Sequence, residues 1–126
     1  MDRNNTGQKK KVLIVDDETE IVKFLAWFLR RKNIDVFLAT NAGQAWQKFS
    51  EFQPELMLLD INMPDMDGLS LLRRIRTQDN KIKIIMVTGS SETACRKEAK
   101  KLKVQDYLVK PLDLSVLYSL VNKYLG

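Results

Sequence analysis

Short apolar runs alternate with segments of helical periodicity along most of this chain. The apolar runs predict strands at residues 11–15, 35–39, 55–59, 82–87 and 104–109. Three of them are almost continuous in Val, Ile, Leu and Met, which is typical of strands buried on both faces of a sheet. Because the order strand then helix repeats five times, the pattern favours a parallel sheet covered by helices on both sides.

The segments between the runs predict five helices. Four of them carry apolar residues at helical spacing: Ile21, Leu25, Phe28 and Leu29; Ala42, Ala45, Trp46 and Phe49; Leu69, Leu72 and Ile75; and Leu114, Leu117, Val121 and Tyr124. The fourth helix in chain order, along Ala94, Glu98 and Lys101, is much more polar. Asn41 is a good N-cap for the second helix, and Asp17 with Glu20 predicts a variant of the capping box for the first.

Five strands in 126 residues are too few for a β/α barrel, which needs eight. We therefore predict an α/β fold of the flavodoxin-like (βα)5 type, doubly wound, with a five-stranded parallel sheet in the order 2-1-3-4-5. In such sheets, ligands bind beyond the carboxyl ends of the strands, where the first and third strands are neighbours.

The residue counts remove several kinds of chemistry. The chain has no histidine, which excludes Ser-His and Cys-His catalysis, His-ligated zinc and a phosphohistidine carrier. Its one cysteine, Cys95, cannot form an intrachain disulfide, and the first ten residues lack an apolar signal segment. We therefore expect a cytoplasmic protein.

Polar side chains follow four of the five predicted strands. These residues are Asp16 and Asp17 after the first, Asp60 after the third, Thr88 and Gly89 after the fourth, and Lys110 and Pro111 after the fifth. Three clustered carboxylates repel one another unless positive charge lies among them. A lysine supplies one charge, and Mg²⁺ or Mn²⁺ suits oxygen ligands. The set indicates metal-assisted phosphoryl chemistry with a carboxylate nucleophile.

Each of these residues also has an ordinary structural interpretation. Asp17 can be only a helix cap, Asp60 a turn residue, Thr88 a strand end and Lys110 a surface lysine. Their joint position at the ends of four strands is what this interpretation leaves unexplained.

The same motifs resemble the receiver domain of bacterial two-component response regulators. The matching stretches are Asp16-Asp17, Asp60-Ile61-Asn62-Met63-Pro64-Asp65-Met66-Asp67-Gly68, Thr88-Gly89 and Tyr107-Leu108-Val109-Lys110-Pro111. The resemblance covers nearly the whole chain, so we expect a receiver domain at residues 10–126 after a disordered polar tail at residues 1–9.

The resemblance implies a phosphorylation switch rather than an enzyme that acts on other molecules. Asp60 is the implied phosphoacceptor, and Lys110 and Thr88 are expected to contact the phosphoryl group, for which Gly89 leaves room. The implied Mg²⁺ ligands are Asp16, Asp17, Asp60 and the main-chain carbonyl of Asn62. Thr88 and Tyr107 are the expected switch pair, which changes the surface of the fourth helix, fifth strand and fifth helix. Pro64 and Gly68 are expected to shape the loop after Asp60, and Lys110-Pro111 to be a cis peptide.

Two surfaces are expected to meet partners. The net charge of +5 arises entirely in residues 64–126, largely on the fourth helix, at Arg96, Lys97, Lys100, Lys101 and Lys103. An acidic downstream partner is therefore expected there, and the same face is where a homodimer would form. A sensor histidine kinase or histidine phosphotransfer protein is expected to recognise the first helix. The candidate residues for this recognition are Glu18, Thr19, Val22 and Ala26. The alternative interpretation is that they only fill the helix layer.

Other functions remain open at this stage. A flavin-binding module needs a Ser/Thr/Gly-rich phosphate loop where this chain has Asp16-Asp17, and a haloacid-dehalogenase-like phosphatase needs an acid where it has Asn62. A nucleic-acid-binding domain would depend on the basic fourth helix alone, so we expect no direct contact with nucleic acid or membrane. The receiver can also be one part of a larger DNA-binding regulator or hybrid kinase. Lys103-Val104 stands where the family usually has Gly-Ala, which makes the end of the fourth helix hard to predict.

Overall fold

The computed structural model describes residues 9–63, 66–89 and 93–126. The main sheet contains five parallel strands: β1 (Lys11–Val15), β2 (Asp35–Ala39), β3 (Leu56–Asp60), β4 (Lys83–Thr88) and β5 (Asp106–Val109). Their order in the sheet is β2-β1-β3-β4-β5, as the sequence predicts. After β3, the two-residue strands Asn62–Met63 and Met66–Asp67 form a separate antiparallel pair. The predicted tail at residues 1–9 lies outside the described residues except for Lys9.

Five helices cover the two faces of the sheet: α1 (Thr19–Arg30), α2 (Ala42–Phe52), α3 (Gly68–Gln78), α4 (Thr93–Lys101) and α5 (Leu114–Leu125). The alternation of side chains along β1 separates two cores. Val12 and Ile14 pack with α1 and α5, whereas Leu13 and Val15 pack with α2, α3 and α4. No helix in the described part of the chain is long and apolar enough to cross a membrane.

The predicted strands agree with the observed strands except at some ends. β3 and β4 each begin and end one residue later than predicted, so that Asp60 and Thr88 are the last residues of their strands. β5 begins at Asp106 rather than at residue 104. The reason is local, because the Val104 N–H donates to Ala99 O and closes α4 instead of joining the sheet.

The two predicted helix caps differ in outcome. Asn41 is the N-cap of α2, and its side chain accepts a hydrogen bond from the Gln44 N–H at 2.8 Å. The capping box of Asp17 and Glu20 is wrong. Glu18 is the N-cap of α1 and makes no side-chain cap bond.

The prediction for the surface of α1 is also wrong in part. Val22 and Ala26 are each only 1% exposed and belong to the core between α1, α5 and the sheet. Phe24 and Trp27 are the large apolar residues of this helix that face solvent, at 48% and 55% exposure. Val22 and Ala26 therefore fill the helix layer and cannot be recognised by a partner without unfolding α1.

Lys103, which made the end of α4 hard to predict, lies in the turn that closes this helix. This residue adopts the left-handed conformation, with φ of 62°. Its N–H donates to Lys100 O and the next N–H donates to Ala99 O, which is the hydrogen-bond pattern of a Schellman motif. Lys103 therefore adopts the left-handed conformation that glycine usually has at this position of a helix end.

Candidate functional site

The carboxyl ends of the strands bring the predicted residues to one edge of the sheet. Asp60 is paired with Val87 across β3 and β4, and Thr88 is paired with Val109 across β4 and β5. Asp16 continues β1, since its N–H donates to Ala39 O. The sheet order places β1 and β4 on either side of β3, so Asp16 and Thr88 flank Asp60.

Three carboxylates form a cluster suited to a cation. Asp16, Asp17 and Asp60 each place a carboxylate oxygen within 4.8 Å of the other two. Asp16 and Asp60 are only 4% and 3% exposed. Oxygen atoms from carboxylates at this spacing match the ligand preference of Mg²⁺ or Mn²⁺, so the donor set fits such a metal.

Lys110 brings a positive charge into the same cluster. Its Nζ lies 3.0 Å from Asp16 Oδ2, 3.2 Å from Asp60 Oδ2 and 2.5 Å from Glu18 Oε1. The contact with Glu18 was not predicted, although an acidic residue two positions after Asp16 was a signal that could have indicated it. Lys110, which follows β5, thus forms ion pairs with the carboxylates at the ends of β1 and β3.

The charges of the cluster change one another's affinity for protons. Burial raises the pKa of Asp16, and hydrogen bonds from the Glu18 N–H and from Lys110 offset that effect only in part. Burial by itself lowers the pKa of Lys110, but the hydrogen bonds to Glu18, Asp16 and Asp60 outweigh it and raise that pKa above its usual value. Lys110 therefore stays positively charged at neutral pH.

Both carboxylate oxygens of Asp60 are held. Oδ1 accepts a hydrogen bond from the Asn62 N–H at 2.9 Å, and Oδ2 faces Lys110. Gly68 is needed for this geometry, because a Cβ there would lie 2.4 Å from Ile61 Cα and 3.0 Å from Asp60 O. Its lack of a side chain lets the first turn of α3 approach the backbone beside Asp60. Pro64, the other residue predicted to shape this loop, lies outside the described residues.

Thr88 and Gly89 share an acceptor that was not predicted. The Thr88 hydroxyl donates to Asn62 Oδ1 at 3.1 Å, and the Gly89 N–H donates to the same oxygen at 3.3 Å. The sequence assigned Asn62 only a main-chain role. Among the described residues other than its chain neighbours, none has a heavy atom within 4 Å of a Cβ built on Gly89.

Tyr107 lies against α4. Its hydroxyl donates to Arg96 O at 3.0 Å, and the Arg96 guanidinium lies 5.1 Å from the centre of its ring. The ring also packs against the core beneath α2, α3 and α4. The Lys110-Pro111 peptide that follows β5 is cis, as predicted.

A profile of the family described as the response regulator receiver domain matches residues 12–122. The chain belongs to that family. This receiver domain is 34% identical to the sporulation initiation phosphotransferase F of Bacillus subtilis, over 92% of the chain and 94% of that protein. Other relatives are longer than this chain. The chain spans only 25% of the regulatory protein AtoC of Escherichia coli, at 31% identity, and 49% of the transcriptional regulatory protein PrrA of Mycobacterium bovis, at 32% identity.

Solved structures agree with this assignment. A response regulator receiver domain protein from Methanospirillum hungatei superposes with a TM-score of 0.90 at 30% identity, covering 94% of each chain. A two-component response regulator from Clostridium difficile gives 0.88 at 32% identity, covering 93% of this chain and 96% of that one. The chain is therefore a receiver domain of the response regulators of two-component systems, a family of phosphorylation-activated switches. Membership in this family replaces the flavin-binding and phosphatase interpretations.

Proposed function

We propose that this receiver domain accepts a phosphoryl group on Asp60 from a phosphohistidine of a partner protein. The observation that carries the proposal is the position of Asp60, which is buried, clusters with Asp16 and Asp17 and lies 3.2 Å from the ammonium of Lys110. In the transfer, an Asp60 oxygen forms a bond to phosphorus as the N–P bond of the donor imidazole breaks, and the imidazole nitrogen keeps the electron pair.

The residues around Asp60 have separate tasks in this reaction. Asp16, Asp17, Asp60 and the main-chain carbonyl of Asn62 would hold Mg²⁺, or Mn²⁺ in its place. The bound metal supplies positive charge for the carboxylates and the phosphoryl oxygens. Lys110 adds a second positive charge, and Thr88 donates a hydrogen bond to a phosphoryl oxygen.

The test uses acetyl phosphate and Mg²⁺ with intact mass spectrometry. We expect the wild type to gain the mass of one phosphoryl group, and Asp60→Asn to gain none. Asp35→Asn is the matched control, because Asp35 begins β2 at the opposite edge of the sheet. An unmodified wild type, or a modified Asp60→Asn variant, contradicts the proposal.

The output follows from Thr88 and Tyr107. When Thr88 turns to the phosphoryl group, Tyr107 leaves the Arg96 carbonyl and moves into the space that opens, which alters the surface of α4, β5 and α5. The domain then acts through binding, and it catalyses only its own phosphorylation and dephosphorylation. A cytoplasmic location fits this role.

The phosphodonor docks beside α1 on a set of residues that shares only Glu18 with the candidates that the sequence indicated. An apolar groove that ends at Lys110 is lined by Ile21 and Phe24 of α1, by Leu112 before α5 and by Leu114, the first residue of α5. The partner is a sensor histidine kinase or a histidine phosphotransfer protein, whose helix would lie in the groove with its phosphohistidine at Asp60.

Phe24→Ala tests this docking. The variant should lose at least about tenfold in the rate of transfer from a phosphorylated histidine domain, since an aromatic interface anchor contributes about 2 kcal/mol. Its reaction with acetyl phosphate should not change. Val116→Ala, which also removes an exposed apolar side chain but lies outside the groove, should leave both rates unchanged. Equal effects on both donors would show that Phe24 acts on the site and not on docking.

The basic face of α4 meets an acidic downstream partner. Lys97, Lys100 and Lys101 are exposed, whereas the one acidic residue of this helix, Glu98, pairs with Arg73 of α3. The paired charge reversals Lys97→Glu and Lys101→Glu should abolish binding of an acidic partner at low salt. Lys32→Glu, in the turn after α1, is the control. Intact binding after both reversals contradicts the proposal, as does binding that does not depend on salt.

A further inference from the structure

The side-chain oxygen of Asn62 accepts hydrogen bonds from two donors at once. The Thr88 hydroxyl lies 3.1 Å from it and the Gly89 nitrogen 3.3 Å. These donors end β4, and Asn62 lies in the two-residue strand that follows β3. The amide therefore ties together the ends of two neighbouring strands at the edge where Asp60 lies.

Asn62 also contacts Asp60 directly. Its N–H donates to Asp60 Oδ1 at 2.9 Å. One residue thus orients the carboxylate through its main chain and holds the Thr88 hydroxyl and the Gly89 N–H through its side chain. The side chain and the main chain can be tested separately, because a substitution removes only the first.

We propose that the Asn62 amide competes with the phosphoryl group for Thr88 and Gly89, and so sets how readily the domain is phosphorylated. The inference rests on Asp60 being the phosphoacceptor. A threonine hydroxyl has one hydrogen to donate, so Thr88 cannot bond well to Asn62 and to a phosphoryl oxygen together. Phosphorylation must break the Asn62 contact first.

The competition has a definite direction. A phosphoryl oxygen carries negative charge and accepts a stronger hydrogen bond than a neutral amide oxygen. The phosphoryl group therefore displaces the amide, and Asn62 is exposed, so its side chain can turn to water. The exchange still loses the two bonds of the resting state, and this loss lowers the affinity of the site. Asn62 is a positioning residue for Thr88.

Asn62→Ala and Asn62→Asp give opposite predictions. Alanine removes the competitor and keeps the main-chain N–H and carbonyl. The affinity for beryllofluoride, a phosphoryl analogue that binds carboxylates, should rise about threefold to tenfold in the presence of Mg²⁺, the effect of one net hydrogen bond. Aspartate keeps an acceptor oxygen and adds a negative charge, so the affinity should fall below that of the wild type. A purely structural role of Asn62 would lower it in both variants.

Two further measurements isolate the contact with the β4 end. In the unphosphorylated protein, the Gly89 amide proton should exchange faster in Asn62→Ala than in the wild type, as measured by NMR. In a Thr88→Ala background, Asn62→Ala should raise beryllofluoride affinity by a smaller factor, since the main donor in the competition is gone. Thermal unfolding of each variant checks that it is folded.

The outcomes separate this inference from the proposed function. If the wild type binds beryllofluoride but Asn62→Ala does not bind it more tightly, the competition is refuted and Asp60 remains the phosphoacceptor. The competition is also refuted if Asn62→Ala raises beryllofluoride affinity by the same factor in the wild type and in the Thr88→Ala background. If the wild type neither binds beryllofluoride nor takes a phosphoryl group, the proposed function itself fails, and this inference with it.

Discussion

The ammonium nitrogen of Lys110 lies 3.2 Å from Oδ2 of Asp60, although the two residues are 50 positions apart in the chain. The contact exists because β3 and β5 both run parallel to β4 and end at the same edge of the sheet. It gives the acidic cluster a positive charge that belongs to the protein. Any bound metal must therefore share these carboxylates with Lys110.

Lys110→Met tests this sharing. Removing the lysine leaves Asp16 and Asp60 buried without their cation, and we expect the free energy of unfolding without metal to fall by about 2–3 kcal/mol. This is below the loss for a fully buried pair, because the side chain of Lys110 is 18% exposed and solvent screens it. Mg²⁺ should then raise the Tm of the variant more than that of the wild type, since the competing charge is gone.

Glu18→Gln is the control for Lys110→Met. It removes a contact of the same lysine, but Glu18 is exposed, so the loss in stability should stay below about 1 kcal/mol. An equal rise in Tm with Mg²⁺ in the wild type and in Lys110→Met would show that the lysine does not oppose the metal.

Gly68→Ala should destabilise the domain by about 1–3 kcal/mol, because the new Cβ would overlap the backbone of Ile61. The displaced α3 end should also slow modification of Asp60 by acetyl phosphate. Gly43→Ala, in the first turn of α2 where a Cβ meets only an ordinary contact, should be neutral or stabilising. Urea unfolding and the phosphorylation rate check both variants, and unchanged stability in Gly68→Ala would contradict the packing argument.

Arg76→Met should cost about 2–3 kcal/mol. The Arg76 guanidinium donates hydrogen bonds to four carbonyls, those of Leu102, Lys103, Asp79 and Ile82. These bonds connect the last turn of α3 to the residues just after α4 and just before β4. Burial lowers the pKa of Arg76, but a guanidinium stays charged at pH 7.

The control for Arg76→Met is Arg73→Met, one turn earlier on the same helix. Arg73 makes only an exposed ion pair with Glu98 among the described residues, which contributes less than about 1 kcal/mol. Similar losses from both substitutions in urea unfolding would mean that the four carbonyl bonds add little.

Lys103→Gly should stabilise the domain by about 1 kcal/mol, because glycine adopts the left-handed conformation of this residue without steric cost. Lys100→Gly, inside the last turn of α4, should instead destabilise it by about 1 kcal/mol. Changes of the same sign in chemical unfolding of the two variants would refute the conformational explanation.

Much of the fold could be predicted from local pattern. The apolar runs identify strands because β3 is buried on both faces along its whole length, and parallel strands impose the common edge at which Asp16, Asp60 and Thr88 meet. Asn41 was identified as a cap because its hydrogen bond is made within its own helix. The sequence by itself therefore determined the architecture and the common edge at which these residues lie, since both depend on periodicity and on strand ends.

Tertiary structure decided which faces and partners those residues have. The rotation of α1 on the sheet buries Val22 and exposes Phe24, and helical periodicity alone did not resolve that angle. The contacts of Lys110 with Glu18 and of Asn62 with Thr88 join residues 92 and 26 positions apart. Such contacts depend on where separate strands end relative to one another, and the length and direction of each side chain then select its partner.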